Sequence, residues 1–484
     1  MPLPERRDAP IGAIRYWAPR AWIDGRWRDA VLLSVDPGGH WAEIAIEVAN
    51  PPADAVRLRG PVLPGIVDAH SHAFQRAFAG LAERAADRDG AGDRNGAGAV
   101  DDFWSWRDRM YAVALRITPA QLRAIAAQLY VELLRGGYTQ VCEFHYLHHA
   151  EDGRPYDDPA TLAWALADAA AEAGIGLTVL PVLYERAGFA EAALRHDQRR
   201  FASSAASVDA LRRAIIDAHR PLVNAGIAIH SLRAASPDGI RDLLRRIGDA
   251  DGPIHVHVAE QTREVDDCLA ATGARPIEWL CRELPLDRRW HLVHATHATP
   301  DEIGAVGASG AGIVLCPSTE ANLGDGFADL PRWLDADVPI TLGSDSQVAR
   351  AWPEEMRWLE YGQRLLHRRR NVGAAAARGQ PATAARLLSG VVAAQGRSAG
   401  LGATGLVVGA RADALVLDPS ASGLLGVPSS HTLDALVFAT DGRAFVEVYV
   451  AGRRVVAKGR HLDGDAIAAR FVEAMQALWP ADSS

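Results

Sequence analysis

His70 and His72 stand one residue apart at the end of the apolar run Val62 to Ala69. In a strand, residues i and i+2 share a face, so both imidazoles can reach one point where the strand gives way to a loop. That is how a pair of metal ligands is built. Polar residues also close later apolar runs: Glu143-Phe144-His145-Tyr146, His230-Ser231-Leu232-Arg233, His255-Val256-His257-Val258-Ala259-Glu260, His294-Ala295-Thr296-His297 and Gly343-Ser344-Asp345. Isolated core histidines have no reason to keep that phase. The most economical assembly is one divalent ion, with zinc favoured, held by His70, His72, His257 and Asp345 beside a water. Such an ion lowers the pKa of its water to about 7, which supplies hydroxide near neutral pH. Glu260, three residues after His257, can take a proton from that water and deliver it to a leaving nitrogen. His294 is expected to orient or stabilise the hydroxide, and Asp345 can accept a hydrogen bond from it. His255 shares a strand face with His257 and competes as a ligand, but its earlier position places it deeper. No lysine lies near the ends of the third or fourth strand candidates, which disfavours a carbamylated lysine bridging two metals and argues for a single ion.

The elements that must position these groups alternate short apolar runs with longer helical patterns. The strand candidates are Val62–Val67, Gln140–Phe144, Gly176–Val182, Gly226–Ile229, Pro253–Val258, His291–Val293, Gly312–Leu315 and Pro339–Leu342. Between them, Pro119–Arg135, Leu162–Ala173, Val208–Ala218 and Glu264–Thr272 read as amphipathic helices. Eight parallel βα units close into a (β/α)8 TIM-type barrel, whose catalytic groups come from the C-terminal ends of several strands. A doubly wound open sheet is the alternative, but no glycine fingerprint for a dinucleotide is present. Both ends of the chain carry short alternating runs, such as Ala30–Val35 and Val446–Val450. They predict a small β-sandwich-like domain from residues 1–60 and 400–465, around a barrel of residues 61–399, with residues 466–484 as a C-terminal helix and tail. Two separate terminal appendages are the alternative. Ala85–Val100, rich in Gly, Ala, Asp and Arg, reads as a surface insertion in preference to a flap over the barrel mouth.

The bulk numbers narrow the function. A chain of 484 residues, 49% hydrophobic and 23% charged, has the composition of a soluble globular protein. Its net charge of −9 argues against wrapping nucleic acid and requires local arginines to draw in an anionic substrate. The four cysteines form no CxxC, so neither a disulfide framework nor a thiolate zinc site is expected, and a reducing cytoplasm fits. The Pro-Cys-x-x-Cys pair of cytidine-deaminase-type zinc sites is absent. Neither a signal peptide nor an apolar run long enough to span a bilayer is visible, so no membrane partner is expected.

The His70-Ser71-His72 pair, the step from His257 to Glu260, His294 and Asp345 resemble the amidohydrolase superfamily, in its mononuclear deaminase branch. His70–Ala77, Glu143–Tyr146 with His148-His149, His257–Gln261, Ser318–Gly326 and Glu355–Leu365 are similar to the motifs of the formimidoylglutamate deiminase family. The resemblance implies hydrolysis of N-formimino-L-glutamate to N-formyl-L-glutamate and ammonia, a step of histidine breakdown. It implies a small dicarboxylate as substrate. Gln75 is then placed at the formimino end, and Arg107, Tyr146, His230 and Arg233 on the carboxylates. Arginine suits that task because its planar fork matches a carboxylate. The resemblance further implies that the loop carrying Arg107 reaches a neighbouring subunit, so a homodimer is expected. Two departures stand out: the stretch Gly90–Val100 is longer than its counterpart, and Gln347 follows Ser346 where the family usually carries Ser-His. A deaminase of the same branch acting on a nucleobase or nucleoside is the first rival, and a non-catalytic barrel scaffold the second.

Overall fold

The computed structural model describes residues 14–84 and 102–479; the predicted insertion Ala85–Val100 lies outside them. Eight strands form the barrel: β1 (Ile66–Ser71), β2 (Tyr138–His145), β3 (Gly176–Leu183), β4 (Ile227–Ile229), β5 (Ile254–Val258), β6 (Trp290–His294), β7 (Gly312–Leu315) and β8 (Ile340–Leu342). They pair in sequence order, and every pairing is parallel. Their residues are almost all buried, as expected for strands covered on both faces. A short extra strand, Val223–Ala225, also pairs with β3.

The connecting helices start where capping chemistry dictates. Thr118 accepts from the amide of Gln121 and Pro119 follows at the first helical position, which fixes the start of the helix Pro119–Arg135. Thr299 with Glu302 does the same for Pro300–Ser309. The barrel interior and the inner faces of these helices form one large apolar core.

Strands from both termini make a second, nine-stranded sheet. Its halves join where Val62–Pro64 pairs antiparallel with Ala414–Leu417. Tyr16 and Tyr449, three strand positions apart across the sheet, have ring centroids 4.9 Å apart, and Tyr16 and Tyr449 belong to one shared apolar core. The sheet therefore curls, because strands so placed in a flat sheet lie about 14 Å apart. The structure corrects the first strand candidate. Val62–Pro64 belongs to the terminal sheet, and the barrel strand runs from Ile66 to Ser71. Gly65 is the joint. A Cβ there would lie 2.3 Å from Thr139 Oγ1 and 2.8 Å from Asp413 Cβ, so no larger residue fits between barrel and sheet. Gln395 fastens the same joint, accepting from Val67 N at 2.9 Å and donating to Gly65 O at 3.1 Å.

Candidate active site and metal centre

The strands deliver their polar ends to one rim. Asp345 Oδ1 lies 3.4 Å from Nε2 of His70 and 3.4 Å from Nε2 of His72. Nε2 of His257 is 2.9 Å from Nε2 of His70. The atoms of His70, His72 and His257 form one group within 4.8 Å of one another, and those of His70, His294 and Asp345 form another. Metal–ligand bonds of about 2.0–2.1 Å separate tetrahedral ligands by about 3.4 Å, so the 2.9 Å and 3.4 Å separations of His70 from His257 and Asp345 have the scale of ligands that share an ion.

The tautomers agree with that fit. Nδ1 of His72 faces the Phe144 carbonyl at 3.2 Å, and Nδ1 of His257 faces the His230 carbonyl at 3.0 Å. A carbonyl only accepts, so each Nδ1 carries the proton and each Nε2 presents a lone pair inward. Burial lowers the pKa of His70, His72 and His257, which keeps them neutral. Burial opposes ionisation of Asp345, but the facing His70, His294 and His72 hold its carboxyl below the usual range. His255 is not part of the cluster. It lies deeper, with Nε2 2.8 Å from the Ser398 carbonyl and its ring beside His291.

Glu260 and His294 flank the donor set, with Oε1 3.8 Å from Nε2. Burial pushes Glu260 up to about 7, with His294 opposing and Asp345 adding to the rise. Burial works against a charged His294, yet Glu260, Glu320 and Asp345 raise it to about 10. Such a carboxylate can exchange a proton near neutral pH, and such an imidazolium can stabilise negative charge.

The backbone is bent to hold these groups. Ala259, His294, Ala295, Asp345 and Gln347 all have left-handed φ between +48° and +69°. Such conformations in non-glycine residues persist only where surrounding contacts enforce them, and they cluster at functional sites. Gly343 allows the tight approach at the end of β8. A Cβ there would lie 2.7 Å from His70 Cβ and 3.0 Å from Cys316 Sγ.

One pocket is lined by His72, His257, Asp345, Glu260 and His294, and equally by Gln75, Tyr146, His230, Arg107 and Arg233. Gln75 donates to the Tyr146 hydroxyl at 3.3 Å and leaves its buried Oε1 without a partner. Arg233 is 8% exposed, and its buried Nη1 also lacks a partner. Arg107 is bound to Asp108 at 3.0 Å. It sits not in a loop but in the helix Phe103–Ala114, started by Asp102, which accepts from the amides of Trp104 and Ser105. That helix seats Arg107 at the pocket of its own chain.

Sequence reasoning gave no role to several neighbours. Glu320 Oε1 lies 3.4 Å from Nδ1 of His294, on the helix Pro317–Leu323 that follows β7. Trp104 gathers Arg107, Arg233 and Arg263, whose guanidinium carbons lie 4.7, 5.3 and 4.8 Å from its ring. The position of Glu320 on the short helix that follows β7, at the same rim as the other strand ends, is the available signal for it. For Trp104 the only sequence hint was its place beside Arg107 in an aromatic-rich run.

Among the described residues no helix is long and apolar enough to cross a membrane. All four cysteines are unpaired.

Residues 62–455 match the amidohydrolase family. The chain is 43% identical over 464 residues, 96% of its length and 99% of the relative's, to formimidoylglutamate deiminase of Pseudomonas aeruginosa. It superposes on the crystal structure of an amidohydrolase from Brucella melitensis with a TM-score of 0.88 at 39% identity, covering 96% of this chain and 99% of that one. The zinc-bound adenosine deaminase from Xanthomonas campestris shares the fold, with a TM-score of 0.77 at 22% identity over 96% of this chain and 98% of that one.

Proposed function

The chain belongs to the amidohydrolase family, and from that membership we propose that it hydrolyses N-formimino-L-glutamate to N-formyl-L-glutamate and ammonia. It is a metal-dependent enzyme acting on the carbon–nitrogen bond of a linear amidine. The reading rests above all on one observation: the pocket that holds the imidazole and carboxylate donors also holds Arg107 and Arg233. A neutral nucleobase has no use for two guanidiniums, whereas a dicarboxylate matches both.

The proposed ligands are His70, His72, His257 and Asp345, with zinc as the proposed ion. Once bound, it supplies Lewis acidity that brings the pKa of a water near 7. Arg107, Arg233, Tyr146 and His230 hold the two carboxylates and so fix where the formimino carbon sits. Gln75 meets the amidine nitrogen through its unpartnered Oε1. Glu260 takes a proton from the attacking water and delivers it to the departing nitrogen, and Asp345 accepts the other hydrogen bond of that water. His294, held by Glu320, offsets the negative charge that develops. Water adds at the carbon with its first proton passed to the terminal nitrogen. As the carbon–nitrogen bond breaks, the adduct's hydroxyl gives up the second proton by the same carboxylate, the formyl carbonyl forms, and ammonia leaves with both.

The enzyme is further proposed to be cytoplasmic, in keeping with its unpaired thiols, and homodimeric. Trp358, Tyr361 and Leu365, exposed along the helix Trp352–His367 at the spacing of one face, support an assembly of copies.

The test is ammonia release from N-formimino-L-glutamate beside formimino-aspartate, guanine, cytosine and adenosine. Turnover of the formimino amino acids alone supports the reading. Turnover of a base or nucleoside in their place overturns it.

A further inference from the structure

The barrel closes at a weak seam. β8 and β1 share no ladder; the join is an isolated parallel bridge between Ser71 and Asp345. Asp345 N donates to His70 O at 2.9 Å, and His72 N donates to Asp345 O at 3.3 Å. His70 and His72 hang from one side of this bridge and Asp345 from the other, so its spacing sets the spacing of three proposed donors. Two main-chain bonds are little to fix it, because each contributes only about 1 kcal/mol net. Further in, Asp68 of β1 adds a side-chain link, accepting from Ser344 N at 2.9 Å and from Ser344 Oγ at 2.5 Å.

Gln347 lies across that bridge. Its side chain is fully buried, and its Nε2 donates to Asp345 O at 2.8 Å and to Ser71 Oγ at 3.0 Å. Its Oε1 faces Ser344 Oγ at 3.0 Å, a hydroxyl whose single proton goes to Asp68 Oδ2 at 2.5 Å. The carbonyl of Asp345 can only accept, so the amide nitrogen must face it and the orientation is not arbitrary. Ser71 passes the restraint on, donating to Glu143 Oε2 at 3.1 Å, and Glu143 Oε1 accepts from Ala73 N. One amide thus ties β1, β2 and the turn after β8. To reach this place Gln347 adopts a left-handed φ of +68°, which a side chain rarely takes without a compensating contact.

We propose that Gln347 is a positioning residue that clamps the Ser71–Asp345 bridge and thereby holds His70, His72 and Asp345 at metal-binding distance. The proposal rests on those three residues being metal ligands, not on the identity of the substrate. Only a side chain with two N–H donors on one nitrogen meets both the Asp345 carbonyl and the Ser71 hydroxyl. Methionine fills the same volume without the bonds, and glutamate would set an acceptor against the Asp345 carbonyl.

The experiment loads the purified enzyme with zinc and follows zinc release to a chromogenic chelator in wild type, Q347M, Q347E, S71A and the double variant S71A/Q347M. Melting of the metal-free proteins is measured alongside. Outer contacts of metal ligands typically change affinity by about 10- to 100-fold, so Q347M and Q347E should lose zinc at least about tenfold faster. Metal-free melting should stay near wild type. S71A should also lose zinc faster, and the double variant should be less than additive, since both changes break one bond. Zinc release at the wild-type rate in Q347M and S71A overturns the proposal, as does a rate that rises only in step with a lowered metal-free melting point. If Q347M does not fold, S71A, which removes one hydroxyl, decides alone. Failure of even the wild type to hold zinc would instead remove the metal-site reading beneath it.

Discussion

Glu260 Oε1 lies 3.8 Å from His294 Nε2, with both side chains buried at the barrel rim and Asp345 facing the pair. This places a proton carrier beside a charged imidazole, next to the donor cluster but outside it. Glu260→Gln keeps the shape and removes the base. Turnover should fall by about 10²–10⁴-fold while zinc content stays unchanged. An E260Q enzyme with wild-type turnover, or one that purifies without metal, would be evidence against the assigned role.

The pH profile follows from the same pair. Burial raises Glu260 to about 7, and Glu260 must be ionised to accept a proton. Activity should therefore rise as pH increases through about 7, not near the value of about 4.3 seen for free glutamate. The stability sign is opposite. A raised carboxyl pKa leaves folding fully favoured below the unfolded value, and that contribution is lost as pH rises through about 7. A profile of kcat/KM that is flat from pH 5 to 8 contradicts the assignment.

Arg233 carries a buried guanidinium nitrogen with no protein partner. Charged hydrogen bonds contribute about 1.5–3 kcal/mol each, so Arg233→Ala should raise KM for the dicarboxylate by about 10- to 100-fold, with a smaller effect on kcat. Inhibition by glutarate, which carries the two carboxylates without the reactive group, should weaken in parallel. Unchanged glutarate inhibition removes Arg233 from carboxylate binding.

Chelation should abolish activity, and zinc should restore it. Metal that binds only the folded chain stabilises it by about 2.7 kcal/mol at a hundred times Kd, so the melting temperature should rise with added zinc. His257→Ala should remove most of that increment. A variant whose zinc response matches wild type shows that His257 is no ligand.

Gly343→Ala should be costly. The added methyl meets His70 Cβ at 2.7 Å, on the strand that carries this proposed ligand and leads directly to His72. Overpacking of this kind typically costs about 1–3 kcal/mol. Calorimetry should show a lowered melting temperature and metal analysis a lowered zinc content. A normal melting point would mean that the seam has more slack than its contacts indicate.

The strand pattern was readable because strands buried on both faces appear as apolar runs, and seven of the eight candidates lie on or within about one residue of their barrel strands. The first candidate was drawn too early for a physical reason. Val62–Val67 is apolar throughout, and periodicity does not show that Gly65 hands the chain from one sheet to another. The resemblance puts Arg107 on a loop, whereas the structure has it in the helix Phe103–Ala114. Its helix is secured by the cap at Asp102 and by packing of Phe103 and Met110 into the core.

The amino-acid order alone determined which groups stand at strand ends, because phase along a strand is local and every second residue shares a face. It therefore named the imidazoles, Asp345 and Glu260 without coordinates. Only tertiary structure decided that their atoms meet. Barrel closure joins the first strand to the last through Ser71 and Asp345, residues far apart in the chain. The same closure sets the ring tautomers through the carbonyls of Phe144 and His230, and the fold brings Glu320 to His294 and Trp104 to Arg233. Such contacts depend on how strands tilt and close around a common axis, and no local spacing encodes them.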